Sequence, residues 1–293
     1  MKRAKRVTVI FVAMLSILAL AGPAKAEVVV FADAALEEAI RQQIGLPAGD
    51  IHNADLKNMD ILHAAGKGIV DISGLGRCVN LEVLDLSHNS IADLSELADL
   101  PNLTMLDLDD NGLADIGPIA GFTSLTSLSL SYNKFEGADL DDVLSSLLSL
   151  VSLDLSGNHL TDIGAVTPLI NLERLYLVDN QISDITGLGS CSKLSYLNLH
   201  KNDITDISVL AELENLAFVD LFDNDISDFS PVAGVSTVYP QQDTDTDTGS
   251  FTLADTNQGI DQGGSSVTSR DSSDSSGGGG SCFIRTVANT LGW

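Results

Sequence analysis

Seven asparagines, Asn89, Asn111, Asn133, Asn158, Asn180, Asn202 and Asn224, recur at intervals of 22 residues, with a single interval of 25. Six aspartates, Asp93, Asp115, Asp162, Asp184, Asp206 and Asp228, keep step four residues behind. Columns of side-chain oxygens at a fixed spacing suit two kinds of chemistry. They can line up ligands for cations, or they can satisfy backbone groups that a repeating fold would otherwise bury unpaired. An inward amide offers both donors and acceptors, so the asparagines are expected to form a structural ladder. An aspartate just before a short helical turn caps its first amides. Calcium-dependent adhesion through the acidic columns is the competing expectation.

Signatures of catalysis are missing. There is no P-loop, HExxH, GxSxG or CxxC pattern, and the five histidines are scattered. Gly66, Gly68, Gly74 and Gly76 cluster without a dinucleotide fingerprint. Asp243, Asp245 and Asp247 imitate the start of a calcium loop, but the glycine comes one residue late and the twelfth position holds no acid. His200 with Asp220 and Asp223 could form an acid–base set, yet no nucleophile or oxyanion donor accompanies it. A non-enzymatic protein without cofactor or resident metal is expected.

The asparagines belong to a repeated sentence whose copies begin at Leu81, Leu103, Leu125, Leu150, Leu172, Leu194 and Leu216. Counting from each first Leu, positions 1, 4, 6, 11, 14, 17 and 20 are apolar nearly every time, and position 9 is Asn. Positions 4 and 6 alternate with polar 3, 5 and 7, the pattern of a strand with one buried face. No copy has enough apolar surface to enclose a core alone, so the copies must stack and share one. With its LxxLxLxxNxI pattern the chain resembles the leucine-rich repeat proteins, in particular the bacterial 22-residue class typified by internalins. The resemblance implies a right-handed α/β-type solenoid with one short parallel strand per turn, 3-10 or irregular convex returns and a helical N-terminal cap. It also implies a protein-binding role for the concave face.

The outward positions 3, 5, 7 and 8 divide that face into two zones. The first copies supply acids, Asp107 and Asp109 foremost, expected to be exposed and to steer a basic portion of a ligand. Later copies supply Arg174, Tyr176, Tyr196, His200, Phe218 and Phe222. Outward aromatics add nothing to the core and are the usual composition of an interface centre. The partner expected is a protein or peptide, with a basic portion. Nucleic acid is excluded by a net charge of −26.

The remaining segments frame this array. Basic residues before an apolar run, followed by Ala24-Lys25-Ala26, read as a signal peptide over 1–26 cleaved after Ala26. No later stretch reaches the roughly 20 apolar residues that a membrane span needs. Residues 27–58 are expected to form a helical cap, with Leu36, Ile40 and Ile44 as its apolar stripe, Asp33 as N-cap and Gly45 as stop. The repeat domain covers 59–237, a degenerate first turn plus seven full ones. The third copy's extra residues, with Val143, Leu144 and Leu147, predict a true helix. Cys78 and Cys191 share core position 20 five turns apart, too far to bridge. Beyond Val235 no new copy is expected: 238–280 reads as a low-complexity linker. The segment 281–293, with Cys282, Phe283 and Ile284, resembles the CFI box of exported bacterial proteins and implies processing at Cys282. The chain is therefore expected to be exported, to the cell surface or beyond, as a non-catalytic binding module. A structural surface component held through its C-terminus is the alternative.

Overall fold

The computed structural model describes residues 27–239, apart from the side chains of Ala138 and Asp139. The expected signal segment with Ala26, and the tail with Cys282, lie outside the described residues. Every copy places three residues in a strand and returns through a short helical turn. From the N-terminus the elements are β1 (Val28–Val29), α1 (Ala34–Ile44), β2 (Ile51–His52), α2 (Asn53–Leu56) and β3 (Ile61–His63). Then follow β4 (Val83–Asp85), β5 (Met105–Asp107), β6 (Ser127–Ser129), α3 (Gly137–Leu144), β7 (Ser152–Asp154) and β8 (Arg174–Tyr176). The series closes with β9 (Tyr196–Asn198), β10 (Phe218–Asp220) and β11 (Thr237–Tyr239). Strands β3 to β11 form one parallel sheet in chain order, each in register with the next. The returns are 3-10 turns except in the third copy, where α3 stands on the convex side. The molecule is a leucine-rich repeat solenoid.

One core runs its length, since the leucines at positions 1, 4 and 6 of successive copies are all buried. The asparagines lie inside the corner where each strand turns away. Asn158 donates through Nδ2 to Leu130 O, Leu155 O and Ser156 O at 3.1, 2.9 and 3.2 Å, and its Oδ1 accepts the N–H of Phe135 at 3.2 Å. Asn89, Asn111, Asn133, Asn180, Asn202 and Asn224 repeat the pattern toward the preceding turn. In the degenerate first turn, where Lys67 stands in place of Asn, Asn89 Oδ1 accepts both the Lys67 and the Ile69 N–H. The aspartate column also faces its own backbone: Asp184, Asp206 and Asp228 each accept the amide two residues on at 2.8 Å. Those amides hold the three carboxyls below their ordinary range.

Helix α1 closes the first turn with Leu36, Ala39 and Ile40. Asp33 Oδ1 accepts from Ala35 and Leu36 as N-cap, while Oδ2 accepts the Val70 N–H at 2.9 Å, so one carboxylate ties cap to solenoid. Gly45 ends the helix at φ 68°, a left-handed conformation that costs glycine little. The pairing of β1 with β2 beneath this cap has no counterpart in the sequence reading.

The C-terminal end corrects that reading. The sheet does not stop after Val235, because β11 pairs with β10 through Phe218 and Thr237, Val219 and Val238, Asp220 and Tyr239. Val235 closes its 3-10 turn with a bond to Val232 O, and two residues later Thr237 already bonds Ala217 O. In other copies three more residues separate those events, so the missing spacer conceals the ninth strand from a search at fixed period.

Cys78 and Cys191 are buried, unbridged thiols. Burial pushes Cys78 up to about 12 and raises Cys191 as well. Thiolate is the reactive form, so neither should alkylate in the native protein at pH near 8, and both should react in denaturant. Peptide mass spectrometry after iodoacetamide checks this; a Cys78–Cys191 disulfide would contradict the stacking order.

Candidate binding face

Strand alternation sends positions 3 and 5 to the concave side, and the turn after each strand brings position 7 to the same surface. Position 8 behaves differently. His88, Asp110, Tyr132, Asp179, Lys201 and Asp223 all have φ between 50° and 58°, and Gly157 takes 65° at the same place. The repeat therefore bends through a left-handed residue whose side chain stands at the rim. There Lys201 Nζ meets Asp179 at 2.8 Å and His88 meets Asp110 at 3.1 Å. At Gly157 an added Cβ would lie 2.5 Å from the Tyr132 ring, so the glycine also makes room for its neighbour.

The C-terminal half of the face is an aromatic run. Tyr176 and Tyr196 lie with centroids 5.0 Å apart, Tyr196 and Phe218 stack at 4.3 Å with planes 1° apart, and Tyr239 follows Phe218 at 5.6 Å. A second stack sets His200 against Phe222 at 5.1 Å. Arg174 begins β8 beside the run, in register with Tyr196. Register sets Tyr196 beside Phe218, both at position 3, at about 4.8 Å, near the ideal ring offset; Tyr176 and Tyr239 stand at position 5, opposite Asn198 and Asp220, and reach the run on the diagonal. Tyr239, which joins through the hidden strand, was missed from sequence for the same reason as the strand. Asp220 Oδ1 accepts the Phe222 N–H and the His200 ring stacks on Phe222, and among the described residues no hydrogen bond or ion pair joins His200 to Asp220 or Asp223.

The N-terminal half differs from expectation. Asp107 and Asp109 point to the concave side but are only 2% and 7% exposed, so they are not exposed steering charges. Their neighbours are small and close: Ser127, Ser129, Ser131, Ser152 and Ser156 are all buried. Outward direction was legible from alternation, whereas solvent access depends on what flanking strands carry. Asp109 accepts from Ser129 Oγ and from the Ser131 N–H. Asp107 accepts the Asp109 N–H at 3.1 Å, and Asp154 the Ser156 N–H at 2.9 Å. Burial first, then the charge of Asp109, pushes Asp107 up to about 8. Burial, again joined by Asp109, raises Asp154 to about 7. Asp109 itself is raised by burial, against the hydrogen bonds from Ser129 and Ser131. Asp154 and the serine pair Ser127 and Ser152 were passed over in the sequence; the run Ser127, Ser129, Ser131 at outward positions was the available signal.

Models of leucine-rich repeats match the chain, a two-copy model at residues 101–145, 148–190 and 170–212 and a further one at 70–113. Among solved structures, internalin C2 of Listeria monocytogenes is 35% identical with a TM-score of 0.66, covering 73% of this chain and 94% of that one. A second internalin of the same organism, inlF, is 28% identical with a TM-score of 0.61, covering 73% of this chain and 72% of that one. Comparison with curated proteins gives no match.

Proposed function

Because the chain belongs to the internalin-like leucine-rich repeat proteins, we propose that it is an exported, non-catalytic module that binds a protein or peptide on its concave face. The observation that carries this reading is the aromatic run from Tyr176 to Tyr239, with His200 and Phe222 stacked beside it. These rings add no core to the solenoid, and large, rigid, half-exposed aromatics supply most of the energy of protein interfaces. Nine strands at about 4.8 Å give a face roughly 38 Å long, enough for about 800 Å² per partner. The binding centre comprises Tyr176, Tyr196, Phe218 and Phe222, with Arg174 and His200 at its edge. The net charge of −26 favours a partner with a basic portion. Processing at Ala26 and Cys282 would deliver the module outside the cell.

The test begins with affinity capture of a partner by the full chain, followed by calorimetry on single variants. Tyr196→Ala and Phe222→Ala should each weaken binding by about 2 kcal/mol or more while leaving the denaturation midpoint close to wild type. Wild-type affinity in both variants would remove the aromatic run from the interface.

A further inference from the structure

Two buried hydroxyls remain unexplained by the solenoid's own architecture, and beside them lie three carboxylates that accept backbone amides but have no paired counter-charge among the described residues. Asp107, Asp109 and Asp154 lie on or beside β5 and β7, and among the described residues no lysine or arginine forms an ion pair with any of them. Ser127 and Ser152, in register on β6 and β7 and each 3% exposed, have hydroxyls without a hydrogen-bond partner. Alternation puts both serines on the same side as Asp107 and Asp154. A hydroxyl buried unpaired is destabilising, and alanine would give the same depth without that cost. The serines are therefore unexplained unless something reaches them. The surrounding charges are Asp85 on β4, His88 near Asp109, and Arg174 on β8 in register with Ser152.

We propose that this stretch of the concave face, once side-chain movement uncovers the two serine hydroxyls, receives one basic side chain, a lysine ammonium or an arginine guanidinium, from the protein or peptide docked there. Asp107 and Asp154 are its counter-charges, and Ser127 and Ser152 accept its N–H groups. The inference rests on the concave face being the docking surface. A bare metal ion fits poorly. Strands β5 and β7 are two steps apart, about 10 Å at the backbone, whereas calcium needs every oxygen at about 2.3–2.6 Å. A guanidinium or ammonium carries several diverging donors and can bridge acceptors that do not converge on one point. The aromatic run begins on the next strand, so a single extended ligand can fill both regions.

The probes are the Nα-acetyl N-methylamides of arginine and of lysine, with the glutamine analogue as neutral control and calcium chloride as metal control. Each is titrated into the labelled full chain by NMR. A basic probe should give saturable shifts confined to the amides and carboxyls around Asp107, Ser127, Ser152 and Asp154. Its affinity should rise about tenfold between pH near 6 and pH near 9, because the carboxyls must give up protons to pair with it. Asp154→Asn should abolish the response. Ser127→Ala with Ser152→Ala should weaken it severalfold yet keep the pH dependence. Equal shifts with the glutamine probe, shifts spread over all exposed acids, or saturation by calcium at lower concentration would each overturn the proposal. The outcomes separate it from the parent reading. If the probes fail while Tyr196→Ala still weakens partner binding, only the basic-side-chain site falls; if the probes saturate while the aromatic variants bind normally, only the aromatic centre falls.

Discussion

Replacing Asn158 by Ala is expected to lower stability by about 3 kcal/mol, among the largest effects any single polar residue of this chain can have. The side chain is 4% exposed and makes four backbone hydrogen bonds, so its removal strands the Phe135 N–H in a corner that water does not reach. Each lost bond to a buried group costs about 1 kcal/mol, and a donor left unsatisfied costs more. Asn158→Asp keeps an acceptor for Phe135 but cannot donate to the three carbonyls and buries a charge. It should therefore be at least as damaging near neutral pH and recover in part as acid protonates it. Urea midpoints report both variants. An unchanged midpoint for Asn158→Ala would show that the corner can hydrate or collapse, which the ladder geometry does not allow.

Asp107→Asn is expected to stabilise the protein at alkaline pH by about 3 kcal/mol and to make no difference below pH near 4. Asp107 sits near 8 in the folded chain against an ordinary value of 3.8. The folded state therefore holds a proton that the unfolded state releases. Its contribution to stability is fully present below pH near 4 and is lost as the pH rises through about 8. Each unit of displacement corresponds to about 1.4 kcal/mol, part of which Asp109 and Asp154 take up by shifting in turn. Asparagine keeps the acceptor for the Asp109 N–H and has no charge to bury. Asp33, Asp71, Asp184, Asp206 and Asp228 run the other way. Backbone amides lower the first, third, fourth and fifth, and Ser73 lowers Asp71, so their support is lost as pH falls through their depressed range. Wild-type stability should thus decline toward both extremes, and the variant should show a shallower alkaline decline, keeping the part that Asp109 and Asp154 contribute. Parallel curves for the two proteins between pH about 4 and about 9 would refute the burial of Asp107 as a charged group.

Most of the solenoid was legible because its determinants are local and repeated. The leucine spacing set strand and core, the asparagine column set the corner, and Asp33 with Gly45 marked both ends of α1. The extra residues of the third copy announced α3. Strand β11 was hidden because dropping three residues after Val235 preserves the strand but breaks the period that would reveal it. Strands β1 and β2, two residues each, are too short to carry an alternation. On the face, Tyr196 and Phe218 could be predicted to align because register alone decides that, whereas Tyr176 reaches Tyr196 across a diagonal that depends on its side-chain rotamer. The burial of Asp107 and Asp109 could not be read from alternation, which gives direction but not depth. The left-handed bend at position 8 was also missed, since Tyr132 and Lys201 do not announce a positive φ, although Gly157 and the aspartates Asp110, Asp179 and Asp223 in the same column hinted at it.

Every asparagine of the ladder reaches backward. Its Oδ1 accepts an amide 20 residues earlier, and its Nδ2 donates to a carbonyl 25 residues earlier, or 23 and 28 where α3 intervenes. A turn is therefore incomplete until the asparagine of the following copy has been made. A chain that emerges N-terminus first, from a ribosome or across a membrane, leaves its solenoid one repeat behind its emerging end. In that interval the newest turn's corner amide has only water to bond. The bonds all point one way, so from the capped end toward β11 each copy seals the one before it.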